Sequence, residues 1–187
     1  MSAADRSPAV IAALPVRAAD GVLPVPRAGW LRSPIASVRL ARKGRLRRLR
    51  RRVGTRVALE GGSEFLVFRD TSVVGVATPR PAVLAVRFHL RFIRPDQRWA
   101  HRLFQAVCVI TTPFFAGLAG YRTKLWMYSA RSGEYAGLYE WDGADRAAHY
   151  AEGLVPILRA VSKGGSVSYH VYPGERLEGR LGDARYP

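Results

Sequence analysis

The sequence is short of three things: cysteine, acidic residues and long apolar runs. Its 187 residues include one cysteine, Cys108, so an internal disulfide is excluded and the thiol cannot form a zinc site by itself. No window reaches the ~18–20 apolar residues that cross a bilayer, and the N-terminus lacks the plan of a secretory signal. We therefore expect a cytoplasmic protein in which Cys108, within an apolar run, is a buried and inert thiol.

The excess of basic over acidic residues lies mainly in the N-terminal third of the chain. The chain has 30 Lys and Arg against 14 Asp and Glu, and residues 1–60 hold 14 of the basic side chains but 3 of the acidic ones. Residues 1–56, rich in Pro, Ala and Arg, are predicted to be a disordered extension. Within it, the spacing of Leu46, Leu49 and Val53 allows a short basic amphipathic helix over 36–56.

This basic segment has two interpretations. It contacts nucleic acid or an anionic membrane, or it is a solvated tail without a dedicated partner. Base stacking is not indicated, because no aromatic side chain interleaves with its arginines.

The pattern becomes regular further along the chain. Residues 57–81 form a β-like lead-in with two apolar runs, 64–68 and 72–77. Residues 82–93 alternate as a strand. Residues 95–112 are predicted to be a helix whose apolar stripe comprises Trp99, Leu103, Ala106, Val107 and Ile110. The segment 113–120 then breaks the helix.

The rest of the chain is predicted to contain three more strands and a second helix. Strands are predicted at 120–130, 134–141 and 166–173, with a tight turn at 131–133, a helix at 144–163 and coil over 174–187. The order β-α-β-β-α-β predicts an α+β domain over 82–173. This is the ferredoxin-like plan, an antiparallel sheet with both helices on one face.

Aromatic and basic side chains crowd the strands of this sheet. Alternation predicts that the face away from the helices gathers His89, Lys124, Trp126, Tyr128, His170 and Tyr172. Tyr121 is expected to pack under a helix, and the face of the third strand stays open because both of its sides are mixed. An exposed aromatic face of this size is unfavourable in water, so we expect a second copy to cover it.

Three short patterns carry a family resemblance. They are Gly120-x-x-x-Lys124-x-Trp126, Gly137-x-Tyr139-x-Trp141 and Ala147-x-x-Tyr150. With the element order, they resemble the dimeric α/β-barrel superfamily, most closely the YdhR-type monooxygenase-like proteins related to antibiotic-biosynthesis monooxygenases. The resemblance covers residues 82–173.

The resemblance implies a homodimer whose sheets form a barrel, with a hydrophobic pocket in each protomer. Some members oxidise polycyclic aromatic molecules with O₂ and without metal or flavin. Others bind or degrade haem, dehydrate aldoximes or have no known activity.

Two histidines are the candidate catalytic residues. His89 or His170 is expected to act as general base toward an acidic phenol or enol, since imidazole titrates near neutral pH. The candidate substrate-binding residues are Arg91, Lys124, Trp126, Tyr128, Tyr139 and Trp141, with Lys124 or Arg91 stabilising an oxyanion. The alternative is that all of these side chains are core or interface residues. His101 and His149 are assigned to the surface or to helix packing.

Three functions remain open at this point. The first is a cofactor-independent monooxygenase acting on an aromatic or polyketide-like molecule. The second is a non-catalytic barrel protein that binds a hydrophobic molecule or haem, with His89 or His170 as the axial ligand. The third is a nucleic-acid or membrane-surface binder that acts through the basic N-terminal segment. No metal site is predicted, because no histidine pair has a ligand spacing.

Overall fold

The computed structural model describes residues 9–10, 28–59, 63–93 and 97–181. The strands are β1 (Ala9–Val10), β2 (Leu46–Leu49), β3 (Arg56–Leu59), β4 (Ser63–Val73), β5 (Pro81–Phe88), β6 (Tyr121–Tyr128), β7 (Tyr135–Asp142) and β8 (Ser168–Pro173). The helices are α1 (Ala28–Arg42), α2 (Arg98–Ala116), α3 (Ala144–Val161) and α4 (Leu177–Leu181).

The predicted ferredoxin-like core is present. From β5 to β8 the chain runs β-α-β-β-α-β, and the strands lie in the order β6-β7-β5-β8, all antiparallel. The alternating runs form strands, and the two intervening helices pack on one face. The fold class inferred from the sequence, α+β with an antiparallel ferredoxin-like sheet, is therefore confirmed.

The sheet continues beyond this core at the β6 edge. β4 pairs antiparallel with β6, and β4 in turn pairs with β2 along one half and with β3 along the other. The lead-in segment 57–81 thus supplies most of β3 and all of β4, and β4 contains the first expected apolar run and the start of the second. An otherwise exposed edge strand is covered in this way.

A bulge in β6 decides which side chains face the helices. Its register shifts between Tyr121 and Thr123, so that Tyr121 and Lys124 point to the same side. We call this side the helix face, and it carries Lys124, Trp126 and Tyr139. The prediction that Lys124, Trp126 and Tyr128 face away from the helices is wrong, whereas Tyr121 packs under a helix as expected.

The opposite side, here the inner face, is covered by the chain itself. A buried cluster joins β3 and β4 to the core strands and to α4, and it comprises Val57, Leu59, Phe65, Val67, Val83, Ala85, Leu125, Met127, Ala136, Leu138, Tyr172, Leu177 and Leu181. The side chains of this face pack against one another across the sheet, and α4 adds Leu177 and Leu181 to them. The homodimer remains a prediction, but this face needs no partner to be buried.

Much of the segment predicted as disordered is folded. Residues 28–42 form α1, and the arginine run forms β2 and a turn rather than an amphipathic helix. α1 is held against α2 because the hydroxyls of Ser33 and Ser37 donate to the carbonyl of Pro113 at 3.0 and 2.7 Å. The approach is close enough that a Cβ on Gly117 would lie 2.1 Å from the carbonyl oxygen of Ser33. Residues 1–8 and 11–27 lie outside the described residues.

Two further sequence predictions are corrected. The helix begun near residue 98 runs through Pro113 to Ala116, and its buried side is formed by His101, Phe104, Cys108 and Phe115. The predicted stripe of Trp99, Leu103, Ala106, Val107 and Ile110 faces solvent, because the aromatic sheet floor holds the other side of the helix. The C-terminal segment predicted as coil contains α4, whose Leu177 and Leu181 complete the inner-face core.

Candidate functional site

A cavity of about 450 Å³ lies between the helix face of the sheet and helices α2 and α3. Its floor comes from β6 and β7 and its roof from the two helices. The principal lining side chains are Phe68, Phe104, Cys108, Phe115, Lys124, Trp126, Tyr135, Tyr139, Tyr150 and Leu154. The lining is almost entirely apolar and aromatic, which is typical of a site for a small hydrophobic molecule.

Lys124 is the polar exception on the cavity floor. Its side chain is 4% exposed, and its Nζ makes no hydrogen bond or ion pair with any described residue. Three aromatic rings surround the amine, with Nζ 2.9 Å from the Trp126 ring centroid, 4.5 Å from that of Tyr139 and 4.6 Å from that of Phe115. The ring faces surround the amine where a carboxylate partner would otherwise lie, and they favour its charged form once it takes up a proton.

Burial controls the protonation of this amine. Removal from water lowers the pKa of Lys124 well below its ordinary value, and the charge of Arg69 lowers it further. Arg69 reaches this region because a bulge in β4 lies between Val67 and Arg69. An amine with a depressed pKa is available as a base near neutral pH.

A glycine makes room for the aromatic floor. Gly137 lies on β7 beside Tyr139, and a Cβ at Gly137 would be 2.9 Å from Cε2 of the Tyr139 ring. The Tyr139 hydroxyl is hydrogen-bonded to Tyr150 on α3, and burial raises the pKa of Tyr139 well above its usual range. Both phenols therefore stay neutral, and the ring of Tyr139 stays fixed over the floor.

A histidine between two tyrosines lies beside the cavity, and one of these tyrosines, Tyr135, lines it. His101 Nδ1 is hydrogen-bonded to the Tyr135 hydroxyl, and its Nε2 lies 2.9 Å from the Tyr128 hydroxyl. Burial raises the pKa of both tyrosines, so their hydroxyls remain protonated and serve as hydrogen-bonding groups. The sequence assigned His101 to the surface or to helix packing. Its spacing from Phe104 and Cys108 on one helix side was the available signal for this network.

Cys108 is buried in the roof, as predicted. Desolvation raises the pKa of its thiol to about 11, so the thiolate is scarce at neutral pH and the residue is inert as a nucleophile.

The structure brings together three of the predicted substrate-binding residues. Lys124, Trp126 and Tyr139 line the cavity. Tyr128 lies beside it through His101, and Trp141 packs behind the floor against Tyr150 at a ring distance of 5.1 Å.

The remaining three of the eight predicted site residues lie outside the cavity; they are His89, Arg91 and His170. His89 follows the end of β5, where its Nε2 is 2.9 Å from Nζ of the exposed Lys163. Burial and the Lys163 charge lower the pKa of His89. Arg91 lies in the next turn and donates to the carbonyl of Ser162. His170 lies on β8 against Tyr172, on the inner face, so the two candidate bases share no pocket.

The described side chains around the cavity provide no axial histidine for haem. Neither His89 nor His170 lines the cavity, and both ring nitrogens of His101 are engaged by tyrosine hydroxyls. The described lining thus offers no free imidazole for an axial bond, and haem held by histidine does not fit it. Among the described residues, no three His, Cys, Asp or Glu side chains gather as a metal-ion site.

No protein-family model matches this chain, and no curated protein matches it either. Three solved structures are similar to it, each at 13% identity. A haem-degrading enzyme from Listeria monocytogenes has a TM-score of 0.45 over 60% of this chain and 71% of its own. A ferredoxin-fold protein from the same species, related to antibiotic biosynthesis monooxygenases, has 0.42 over 63% and 68%. A monooxygenase-like protein from Listeria innocua has 0.40 over 62% and 67%.

These similarities concern the fold alone. At TM-scores below 0.5 they carry no argument about family, so the resemblance to antibiotic-biosynthesis monooxygenase-like proteins stays a prediction. The narrower YdhR-type resemblance stays a prediction. At this level of identity, the activity of a neighbour does not transfer, and the function has to be argued from the cavity.

Proposed function

We propose that this chain binds an aromatic or polyketide-like small molecule in the helix-face cavity and oxidises it with O₂, without a bound cofactor. The observation that carries the proposal is Lys124. It places a buried, unpaired amine on the floor of an apolar cavity of about 450 Å³. This position makes Lys124 a better candidate for the general base than His89 or His170.

The proposed first step is a proton transfer. An acidic phenol or enol enters the cavity and gives its proton to Nζ of Lys124. The ammonium that forms remains close to the Trp126 and Tyr139 rings, whose π-faces favour a cation. The substrate anion lies beside it, and exclusion of water strengthens the ion pair.

The oxidation then needs no other reagent. A ring methylene activated by the anion reacts as R₂CH₂ + O₂ → R₂C=O + H₂O. Two C–H bonds break and one C=O bond forms, so the carbon loses four electrons. The O₂ molecule gains these four electrons, one oxygen atom entering the product and the other leaving as water.

The experiment uses 1,8-dihydroxyanthrone, a planar probe with an acidic methylene, and the full chain. We expect O₂ uptake above the uncatalysed blank, with one O₂ consumed per quinone formed. Lys124→Met should lower the rate at least ~100-fold, and Lys43→Met, which changes an exposed lysine after α1, should leave it unchanged.

The histidine variants distinguish Lys124 from the two histidines as the general base. His89→Ala and His170→Ala should retain the rate if Lys124 is the base, and a ~100-fold loss in either would return the role to histidine. Binding of the probe without O₂ uptake would support the non-catalytic alternative. Absence of both binding and uptake would overturn the proposal for this class of molecule.

A further inference from the structure

The mouth of the cavity is bordered by large apolar side chains that face solvent. Helix α2 presents them in steps of three or four residues, which places them along one side of the helix. They are Trp99, Leu103, Val107, Ile110 and Phe114, and α3 adds Ile157 and Val161 across the mouth. Four of these, Val107, Phe114, Ile157 and Val161, also line the cavity.

Phe92 extends this surface beyond α3. The backbone N–H of Arg91 donates to the carbonyl of Val161 at 3.0 Å, so the turn that carries Phe92 lies beside the end of α3. Phe92 is 77% exposed and Trp99 is 68% exposed. We name the eight side chains Phe92, Trp99, Leu103, Val107, Ile110, Phe114, Ile157 and Val161 the mouth face.

Basic residues predominate around the mouth face. The three segments that carry it, 89–93, 98–116 and 153–163, contain no Asp or Glu, and the acidic residues that flank them in the sequence are Asp96 and Glu152. They contain five basic residues, which are Arg91, Arg98, Arg102, Arg159 and Lys163. Arg91, Arg102 and Lys163 are exposed to solvent. An apolar strip with basic flanks complements a surface that is apolar inside and negatively charged outside.

We propose that the mouth face docks on the surface of an anionic lipid membrane, with the cavity opening toward the lipid. A second copy of the chain is the less suitable occupant, because two mouth faces would bring together basic segments that contain no carboxylate to pair with. Exposed Trp and Phe side chains are also the types that settle at the boundary between headgroups and acyl chains.

The docking is peripheral. None of the helices in the described part of the chain has the length and apolarity needed to cross a membrane. A hydrophobic molecule dissolved in the lipid would then reach the cavity without passing through water. The docking proposal concerns the mouth face and not the reaction in the cavity, so its test is independent of the role of Lys124.

The test uses the full chain with vesicles of phosphatidylcholine, with and without phosphatidylserine. We expect at least ~10-fold tighter partitioning onto the anionic vesicles. Arginines outside the mouth face contribute to that difference, so the decisive variant is apolar. Trp99→Ser combined with Ile110→Ser should weaken partitioning at least ~10-fold. Val76→Ser, which changes an exposed apolar residue in the loop after β4, should not.

A second measurement locates the contact without a disruptive variant. Brominated lipids quench tryptophans that enter the membrane. Trp126 and Trp141 are buried in the fold, and the fourth tryptophan, Trp30, is replaced by Phe in every protein measured. We expect quenching in the Trp30→Phe protein that is mostly lost when Trp99→Phe is added. The proposal is overturned if the double variant partitions like the wild type, or if Trp99→Phe leaves quenching unchanged. It is also overturned if sedimentation without lipid shows a dimer that the double variant abolishes.

Discussion

Nζ of Lys124 lies 2.9 Å from the centroid of the Trp126 ring, two residues along the same strand. The two side chains point to the same face because residues i and i+2 of a strand do so. The amine thus has an aromatic face where a buried lysine usually has a carboxylate. The burial of this amine and the rings around it are the basis of the proton transfer proposed for this protein.

The first prediction concerns stability and pH in Lys124→Met. The folded pKa of Lys124 is depressed by burial, so between that pKa and about 10.4 the unfolded chain binds a proton that the folded chain does not. Stability of the wild type should therefore rise with pH across this interval. The variant lacks this contribution, so it should be more stable near neutral pH by about 1 kcal/mol or more, with the difference shrinking toward pH 10.

Urea unfolding of both proteins at several pH values measures this difference. A gap that stays constant from pH 7 to pH 10 would contradict a depressed pKa at Lys124. The matched variant Lys43→Met, at an exposed position, should follow the wild type at every pH.

The second prediction concerns the shape of the cavity floor. Gly137→Val places methyl groups against the Tyr139 ring, since even a Cβ would lie 2.9 Å from it. We expect overpacking to lower the free energy of unfolding by about 1–3 kcal/mol and to abolish binding of the anthrone probe. Gly164→Ala is the control, because a Cβ at Gly164 meets no atom within 4 Å. Normal binding in Gly137→Val would place the ligand outside this floor.

The third prediction concerns the histidine between two tyrosines. Tyr135→Phe and Tyr128→Phe each remove a hydroxyl bound to His101, and each should cost about 1 kcal/mol of unfolding free energy. The double variant should not be the sum of the two, because both hydroxyls share one imidazole. Tyr169→Phe is the control, since the Tyr169 hydroxyl has no hydrogen-bond partner among the described residues. Strict additivity would argue against a shared network.

The fourth prediction separates two neighbouring arginines. Arg52 is 3% exposed and bonds Asp70, which is fully buried, at 3.2 Å, while Arg51 is largely in solvent, and both contact Glu178. Arg52→Ala leaves a buried carboxylate unpaired and should cost about 3–5 kcal/mol. Arg51→Ala should cost less than about 1 kcal/mol. Equal effects in denaturant titration would refute the structural role assigned to Arg52.

The fifth prediction uses the lone cysteine as a reporter of cavity occupancy. With a pKa of about 11 and a position in the cavity roof, the Cys108 thiol should react with a disulfide reagent at pH 8 about 100-fold more slowly than a free thiol. The anthrone probe should slow the reaction further, and Lys124→Met should remove that protection. Reaction at the rate of glutathione would mean that Cys108 is not buried in the folded chain.

Several features of the site could be read from the sequence. Strand alternation singles out Lys124 and Trp126, the family resemblance adds Tyr139, and all three line the cavity. The sheet face on which Lys124 and Trp126 lie could not be predicted from the sequence. The bulge between Tyr121 and Thr123 in β6 breaks the alternation on which such an assignment depends. His89 and His170 were chosen for their chemistry, yet neither reaches the cavity.

The buried side of α2 is a second feature that hydrophobic periodicity predicts wrongly. Its most hydrophobic stripe, with Trp99, Leu103 and Ile110, was expected in the core and faces solvent instead. The buried side contains His101 and Thr112, which hydrophobicity alone ranks lower. Hydrogen bonds of His101 to tyrosines on two strands favour this rotation of the helix, and those partners are distant in sequence.

By itself, the sequence determined the order of strands and helices from 82 to 173, since local alternation, helical periodicity and turn residues encode it directly. It also determined which aromatic and cationic side chains were available. Only the tertiary structure decided that the chain covers its own inner face with β3, β4 and α4. It also decided that Lys124 is enclosed by rings and that the arginine run is partly structural. These features depend on contacts between segments far apart in the chain, for which a single sequence carries no local signal.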